Sequence, residues 1–266
     1  MTHSRRIVVG MTSIPSRVAL CRPALESLAE QERRPDLIVL SLPMRSARDD
    51  QPFDIPDWFD DAASPVPLRV TRPPVDWGPG TKLLGALPEI EDDDTLIVLD
   101  DDSAYLPRVI GHLADATASG NIAASFYTYR HNGLVIGQGA DGFAIPATVA
   151  RQCESLVPLV MEHKALRMHD DYWISFAVAR AGLAIKSLNP LLKSMHSPTP
   201  YRQVHGIDGL VDLQGDLARQ RVSDEASSIL FRDASPTVLM QIARRTAMLR
   251  ASLGRLRRAV GVGSST

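Results

Sequence analysis

The stretch Leu96-Ile97-Val98-Leu99-Asp100-Asp101-Asp102 decides how this chain is read, because four apolar residues run directly into three aspartates. The apolar run is short and carries β-branched residues, the pattern of a strand buried on both faces. Side chains alternate along extended backbone, so Asp100 and Asp102 are expected on one side and Asp101 on the other. Two carboxylates converging at the carboxyl end of a buried strand suit a hard divalent cation carrying a phosphorylated ligand. Aspartates also favour turns in general, and Asp92-Asp93-Asp94 just upstream reads as a turn alone.

Strand and helix signals alternate on the amino-terminal side of this stretch. Ile7-Val8-Val9 reads as a strand, followed by a turn over 12–17 and by Val18, Cys21, Leu25 and Leu28 at helical spacing. Leu37 to Leu40 reads as a second buried strand, and Leu68-Arg69-Val70 as a third after a Pro- and Asp-rich stretch over 44–67. A helical segment from Lys82 to Leu87 leads back to the aspartates. Such alternation predicts βαβ units, with a mostly parallel central sheet and helices on both faces. Beyond the aspartates, 121–129 and 133–136 read as strands joined at His131-Asn132-Gly133, then comes a glycine-rich loop over 137–142. Asp170 to Ala181 reads as a helix.

Residues 1–232 are expected to form one α/β domain, a nucleotide-binding half over 1–118 and an acceptor half over 119–232. Pro236 should open a final amphipathic helix reaching residue 260, and 261–266 reads as a disordered tail. After Asp233 the chain has no acidic residue, while Arg244, Arg245, Arg250, Arg255, Arg257 and Arg258 follow. That helix reads either as packed on the domain or as held to an anionic membrane surface by its charge and apolar stripe. A formal net charge of -2 argues against a general nucleic-acid binder. The two cysteines, Cys21 and Cys153, are far apart and read as buried thiols, not a disulfide framework or zinc site. No segment approaches transmembrane length, and Ile7 to Val9 is too short for a signal-peptide core, so a cytoplasmic location is expected.

With these motifs in hand, the chain resembles the nucleotide-sugar-dependent glycosyltransferases of the GT-A fold, in particular the bacterial family 2 type. The resemblance lies in Asp100-Asp101-Asp102 with the Tyr105-Leu106-Pro107 after it, and in Asp76-Trp77-Gly78-Pro79-Gly80-Thr81-Lys82. It extends to Thr12-Ser13-Ile14-Pro15-Ser16-Arg17, to the Gly137–Gly142 loop and to His169-Asp170-Asp171. It implies a sugar donor linked to a nucleoside diphosphate, a glycan or lipid-linked hydroxyl acceptor, inversion at the anomeric carbon, and a role in envelope or polysaccharide synthesis. By the same resemblance Thr12, Ser13 and Arg17 would cradle the nucleoside, with Asp100 and Asp101 also on the donor. Asp100 and Asp102 would hold Mn²⁺ or Mg²⁺, with His196 or, in competition, His205 as a further ligand. Lys82 could pair with a phosphate; the spacing around it is not that of a P-loop. Gly142 would shape the sugar pocket.

The resemblance further makes Asp171 the catalytic base that deprotonates the acceptor, with Asp170 orienting it or binding acceptor hydroxyls. Asp at a helix start is also a favoured cap, and the order Asp170 as cap and Asp171 as base satisfies both demands. Two other classes share parts of the pattern. A haloacid dehalogenase-like phosphohydrolase would use Asp100 as nucleophile and Asp102 as acid–base, although Ala104 stands where Thr or Val is expected. A non-catalytic sugar-nucleotide-binding subunit is the other.

Overall fold

The computed structural model describes residues 5–59, 61–193, 201–203, 215–232 and 234. The expected basic helix over 233–260, the tail, His196 and His205 lie outside the described residues. Eleven strands are described: β1 (Ile7–Thr12), β2 (Leu37–Ser41), β3 (Leu68–Thr71), β4 (Thr95–Val98), β5 (Ser103–Tyr105), β6 (Ile122–Ser125), β7 (Thr128–His131), β8 (Leu134–Gly137), β9 (Phe143–Pro146), β10 (Ala184–Ser187) and β11 (Tyr201–Gln203). The helices are α1 (Arg22–Ala29), α2 (Thr81–Leu84), α3 (Val109–Thr117), α4 (Ala147–Gln152), α5 (Val157–Glu162), α6 (Lys164–Arg167), α7 (Asp170–Arg180) and α8 (Gly215–Arg232).

Seven strands form one sheet in the order β10-β6-β9-β4-β1-β2-β3. β3, β2, β1 and β4 run parallel, as do β6 and β10. β9 lies antiparallel between β4 and β6, with Ile97 opposite Ala144 and Ser125 opposite Phe143. The mostly parallel α/β sheet expected from the alternation is therefore present, with one reversed strand that the periodicity does not announce. The expected strand over 121–129 divides: β6 enters the main sheet, while β7 turns away to pair with β8. Asn132 (φ 46°) and Gly133 (φ 85°) make the hairpin turn, where both positions need left-handed backbone.

Alternation along the strands sorts the core onto two faces. Val8, Val39, Leu96, Val98 and Ile145 face one way, against α2, α4, α7 and α8. Val9, Met11, Ile38, Leu40, Ile97 and Leu99 face the other, against α1 and α3. Strands buried on both faces carry no polar side to mark them, which is why they read as continuous apolar runs. Among the described residues no helix is long and apolar enough to cross a membrane. Cys21 and Cys153 are buried free thiols, and burial pushes both up to about 12.

α2 and the glycine that follows it are pressed closely onto β1 and β2. A Cβ placed on Gly10 would lie 2.3 Å from the backbone oxygen of Lys82, and one on Gly85 would lie 2.4 Å from the Ser41 side chain. Backbone cannot yield as a flexible side chain does. Gly10→Ala should therefore lower stability by roughly 1–3 kcal/mol or more, read as a fall in the urea midpoint at unchanged slope.

Candidate active site

The aspartates leave β4 together and then part. Asp100 accepts from the Lys82 ammonium at 2.7 Å, on the face that carries α2 and α7. Asp101 turns to the opposite face, where Ser13 Oγ donates to it at 2.5 Å and Arg17 forms an ion pair with it. To this point the alternation holds. The strand ends at Val98, however, and the chain turns at Asp101 and Asp102, so Asp102 also meets Arg17, at 3.0 Å. The expected pairing of Asp100 with Asp102 gives way to a division of the motif between two cations on different loops.

The backbone of the motif is clamped from beneath. The Tyr105 hydroxyl accepts from Asp100 N at 3.0 Å and donates to Asp100 O at 3.1 Å. Tyr105 N in turn donates to Ser27 Oγ on α1 at 3.0 Å. Gln31 fastens the same loop, donating to Leu106 O at 2.9 Å and accepting from Ile110 N at 3.1 Å. By contrast, Asp94 of the upstream acidic run accepts from Glu91 N at 2.8 Å, an ordinary turn contact.

The segment Asp76 to Lys82 is a joint between elements. Asp76 accepts from Gly78 N at 2.7 Å, and Trp77 N donates to Thr81 Oγ1 at 3.0 Å. Gly78 (φ +66°) passes so close to Arg167 that a Cβ would lie 2.8 Å from its carbonyl oxygen. Gly80 lies against the fully buried Trp173 of α7, whose ring would be 2.3 Å from an added Cβ. The close approaches these glycines permit are thus to α6 and α7. They seat Lys82 where its ammonium lies 3.1 Å from Asp170 as well as 2.7 Å from Asp100. Burial opposes the charge on Lys82, but Asp100, Asp170 and Asp171 outweigh it and hold its pKa above that of an ordinary lysine.

α7 begins at Asp170, and the capping position is His169, which makes no side-chain cap bond. The expectation of Asp170 as cap is therefore corrected: Asp170 lies inside the first turn, buried, with Lys82 as its partner. Asp171 accepts from Gly139 N at 2.8 Å, which brings the glycine-rich loop to the helix. Burial raises the Asp171 pKa well above the usual carboxylate range and the neighbouring charge of Asp170 adds to this; Lys82 and the Gly139 amide oppose it. The helix start therefore does not leave Asp171 a weak base, because desolvation and a like charge dominate.

Other expected residues are engaged in holding the fold. Thr12 Oγ1 donates to Ser41 O at 2.8 Å, and Ser13 and Arg17 are committed to the aspartates. Gly142 (φ +95°) takes a backbone form that suits glycine, and a Cβ there would lie 2.7 Å from Leu113. One residue that motif reading passed over is Asp141, buried in the glycine-rich loop and hydrogen-bonded by the Tyr201 hydroxyl. Burial and the charge of Asp100 push it up to about 7, against that hydrogen bond. Its only sequence signal is a lone acid among glycines.

Asp100 and Asp102 have side chains 34% and 21% exposed, whereas Asp101 is 2% exposed. Both exposed carboxylates are hard oxygen donors of the kind Mn²⁺ or Mg²⁺ takes, although here each is ion-paired, Asp100 with Lys82 and Asp102 with Arg17. Among the described residues no group of three or more His, Cys, Asp or Glu is arranged for a metal.

No family model matches the chain, and no curated protein matches it. Several solved structures are similar in chain path. Mycobacterium tuberculosis glucosyl-3-phosphoglycerate synthase, in complex with Mn²⁺, UDP-glucose and phosphoglyceric acid, is 14% identical, with 86% of this chain and 79% of that one covered and a TM-score of 0.43. The glycosyltransferase GlyE of Streptococcus pneumoniae TIGR4 is 14% identical over 89% of this chain and 64% of that one, with a TM-score of 0.43. A UDP-glucose pyrophosphorylase from Acinetobacter is 12% identical over 72% and 98%, with a TM-score of 0.39.

The raised pKa of Asp141 has a thermodynamic sign. A carboxyl whose folded pKa exceeds its unfolded value costs stability as pH rises from the unfolded value through the folded one. Asp141→Asn should therefore melt several degrees above the parent at pH 8. The difference should shrink through pH 7 and vanish near the model carboxyl value of 3.8, as followed by calorimetry across that range.

Proposed function

We propose that the chain is a nucleotide-sugar-dependent glycosyltransferase of the GT-A type, transferring a sugar to a hydroxyl acceptor with inversion. One juxtaposition supports this above the rest. The accessible carboxylates Asp100 and Asp102 lie at the end of β4, and Lys82 joins Asp100 to the first turn of α7, where Asp171 meets the glycine-rich loop. Donor-side and acceptor-side chemistry thus converge at the carboxyl ends of parallel strands, where α/β sheets bind ligands.

Asp100 and Asp102 would hold the divalent cation, whose charge would screen the diphosphate as it departs. Asp171 takes the acceptor proton. Its raised pKa makes it a stronger base than a free carboxylate once ionised, and gives the reaction a low-rate limb at acid pH. Asp101, Ser13 and Arg17 hold the first loop against the motif, so their contribution to the donor is its shape. Asp141 of the glycine-rich loop and Tyr201 of β11 supply a carboxylate and a hydroxyl nearby. A glycan or lipid-linked acceptor at the cytoplasmic face, with residues 233–260 in peripheral membrane contact, completes the proposal.

The first test is thermal denaturation with UDP, GDP, CMP and dTDP sugars, each with and without Mn²⁺. One nucleotide class should stabilise the parent in a metal-dependent way, by about 2.7 kcal/mol at a hundredfold excess over Kd, and fail to do so in Asp102→Ala. Stabilisation by none of them, together with phosphate-ester hydrolysis lost in Asp100→Asn, would replace the transferase with a phosphohydrolase. Once a donor is found, Asp171→Asn should lower turnover by about 10²–10⁴-fold while the nucleotide-induced shift in melting persists.

A further inference from the structure

Lys82 stands at the meeting point of the two halves of the site, and its surroundings define its task. Its side chain is 4% exposed. The stem leaves α2 where the helix backbone is pressed onto Gly10, so the root of the side chain is fixed. On the far side a Cβ on Gly139 would lie 3.0 Å from Nζ and 3.3 Å from Asp171 Oδ1, so the glycine-rich loop closes over the ammonium. Asp170 Oδ2 is fully buried, has no hydrogen-bond partner and lies 3.1 Å from Nζ. Were the ammonium to swing out to a diphosphate, that oxygen would be left buried beside Asp171 with its counter-charge gone, and burying an uncompensated charge is costly.

We infer that Lys82 is a positioning residue: its ammonium ties Asp100, at the donor end, to Asp170, in the first turn of α7, and keeps Asp171 beside Gly139 instead of binding the donor's phosphates. Its kinetic consequences rest on the transferase reading, whereas its electrostatic consequence does not. The charged and titratable groups that face Asp171 are Lys82 from α2, Asp100 from the end of β4, Asp170 beside it and Tyr129 from β7. His169, at the cap, interacts with Asp170. Of these, Lys82 favours the ionised form of Asp171, and Asp170 and Asp100 disfavour it.

The decisive experiment follows the side-chain carboxyl of Asp171 by ¹³C NMR through a pH titration of the ligand-free protein, the signal being assigned by its loss in Asp171→Asn. In Lys82→Met the midpoint should move up by about one unit or more; in Asp170→Asn it should move down. The second variant removes a like charge and serves as the control; if Lys82→Met does not fold, Lys82→Gln, which keeps a polar end facing Asp170, is titrated in its place. Calorimetric titration with the nucleoside diphosphate found in the donor screen should give affinities within about twofold of the parent for Lys82→Met, since a lost charge-assisted phosphate contact costs tenfold or more. In turnover, kcat should fall with donor KM held, and the acid limb should follow the NMR midpoint. An Asp171 midpoint unmoved when Lys82 is replaced, or a tenfold loss of nucleotide affinity in Lys82→Met, overturns the inference. If the parent binds no nucleotide, the transferase reading fails by itself, and the NMR midpoints still decide the role of Lys82.

Discussion

A buried ammonium keeps its charge only where anions hold it, and much of this site is arranged around that condition at Lys82. Asp100 and Asp170 approach it within hydrogen-bonding range, with Asp171 adding to the field. The three carboxylates come from two different elements, so the cation fixes their relation: the end of β4 cannot drift from the start of α7 without breaking an ion pair in low dielectric. That explains why the neighbouring backbone is so closely packed. Gly10 and Gly85 let α2 lie on the sheet, and Gly80 lets Trp173 press α7 against the same joint.

On the opposite face a second cation does related work with another outcome. Arg17 engages Asp101 and Asp102 together, and a planar guanidinium suits such bridging better than an ammonium. Burial nonetheless pushes Asp101 up to about 6, although Arg17 and Ser13 oppose it. The loop after β1 is thereby pinned to the turn after β4, and three consecutive acids serve two separate ends. Asp100 shares a lysine with α7, Asp101 serves the scaffold, and Asp102 meets Arg17 while keeping an exposed edge.

The parts of the fold that carry a strong local signal were readable from residue order. Runs such as Leu37 to Leu40 and Leu96 to Leu99 are buried on both faces and announce themselves, and Asn132-Gly133 specifies its turn. The reversed direction of β9 was not readable, because a strand buried on both faces has the same composition whichever way it runs. The residue types proposed for the site come from residue order, but their pairings were not readable there. Nothing local in Gly78-Pro79-Gly80 says that its close contacts are Arg167 and Trp173, residues more than eighty positions away, and a lysine after glycines suggests phosphate until those contacts are known. The cap at His169 differs from the expected one by a single residue, within the ordinary uncertainty of helix ends. Asp141 gains its character from burial and from Asp100 and Tyr201, which only the folded chain brings to it.

The antiparallel β9 has a consequence for how the chain reaches this state. β1 pairs with β2 and with β4, and β2 with β3, so these four strands need nothing from the chain beyond β4 to join one another. β6 and β10, in contrast, reach the rest of the sheet only through β9, which emerges later than β6. The amino-terminal four strands can therefore begin to assemble while the chain is still being made. The β6 edge stays detached until Phe143 to Pro146 arrive and zip down β4 in reverse. Completion of the sheet therefore waits on β9, the strand through which β6 and β10 join β4, and with it the closing of the glycine-rich loop over α7.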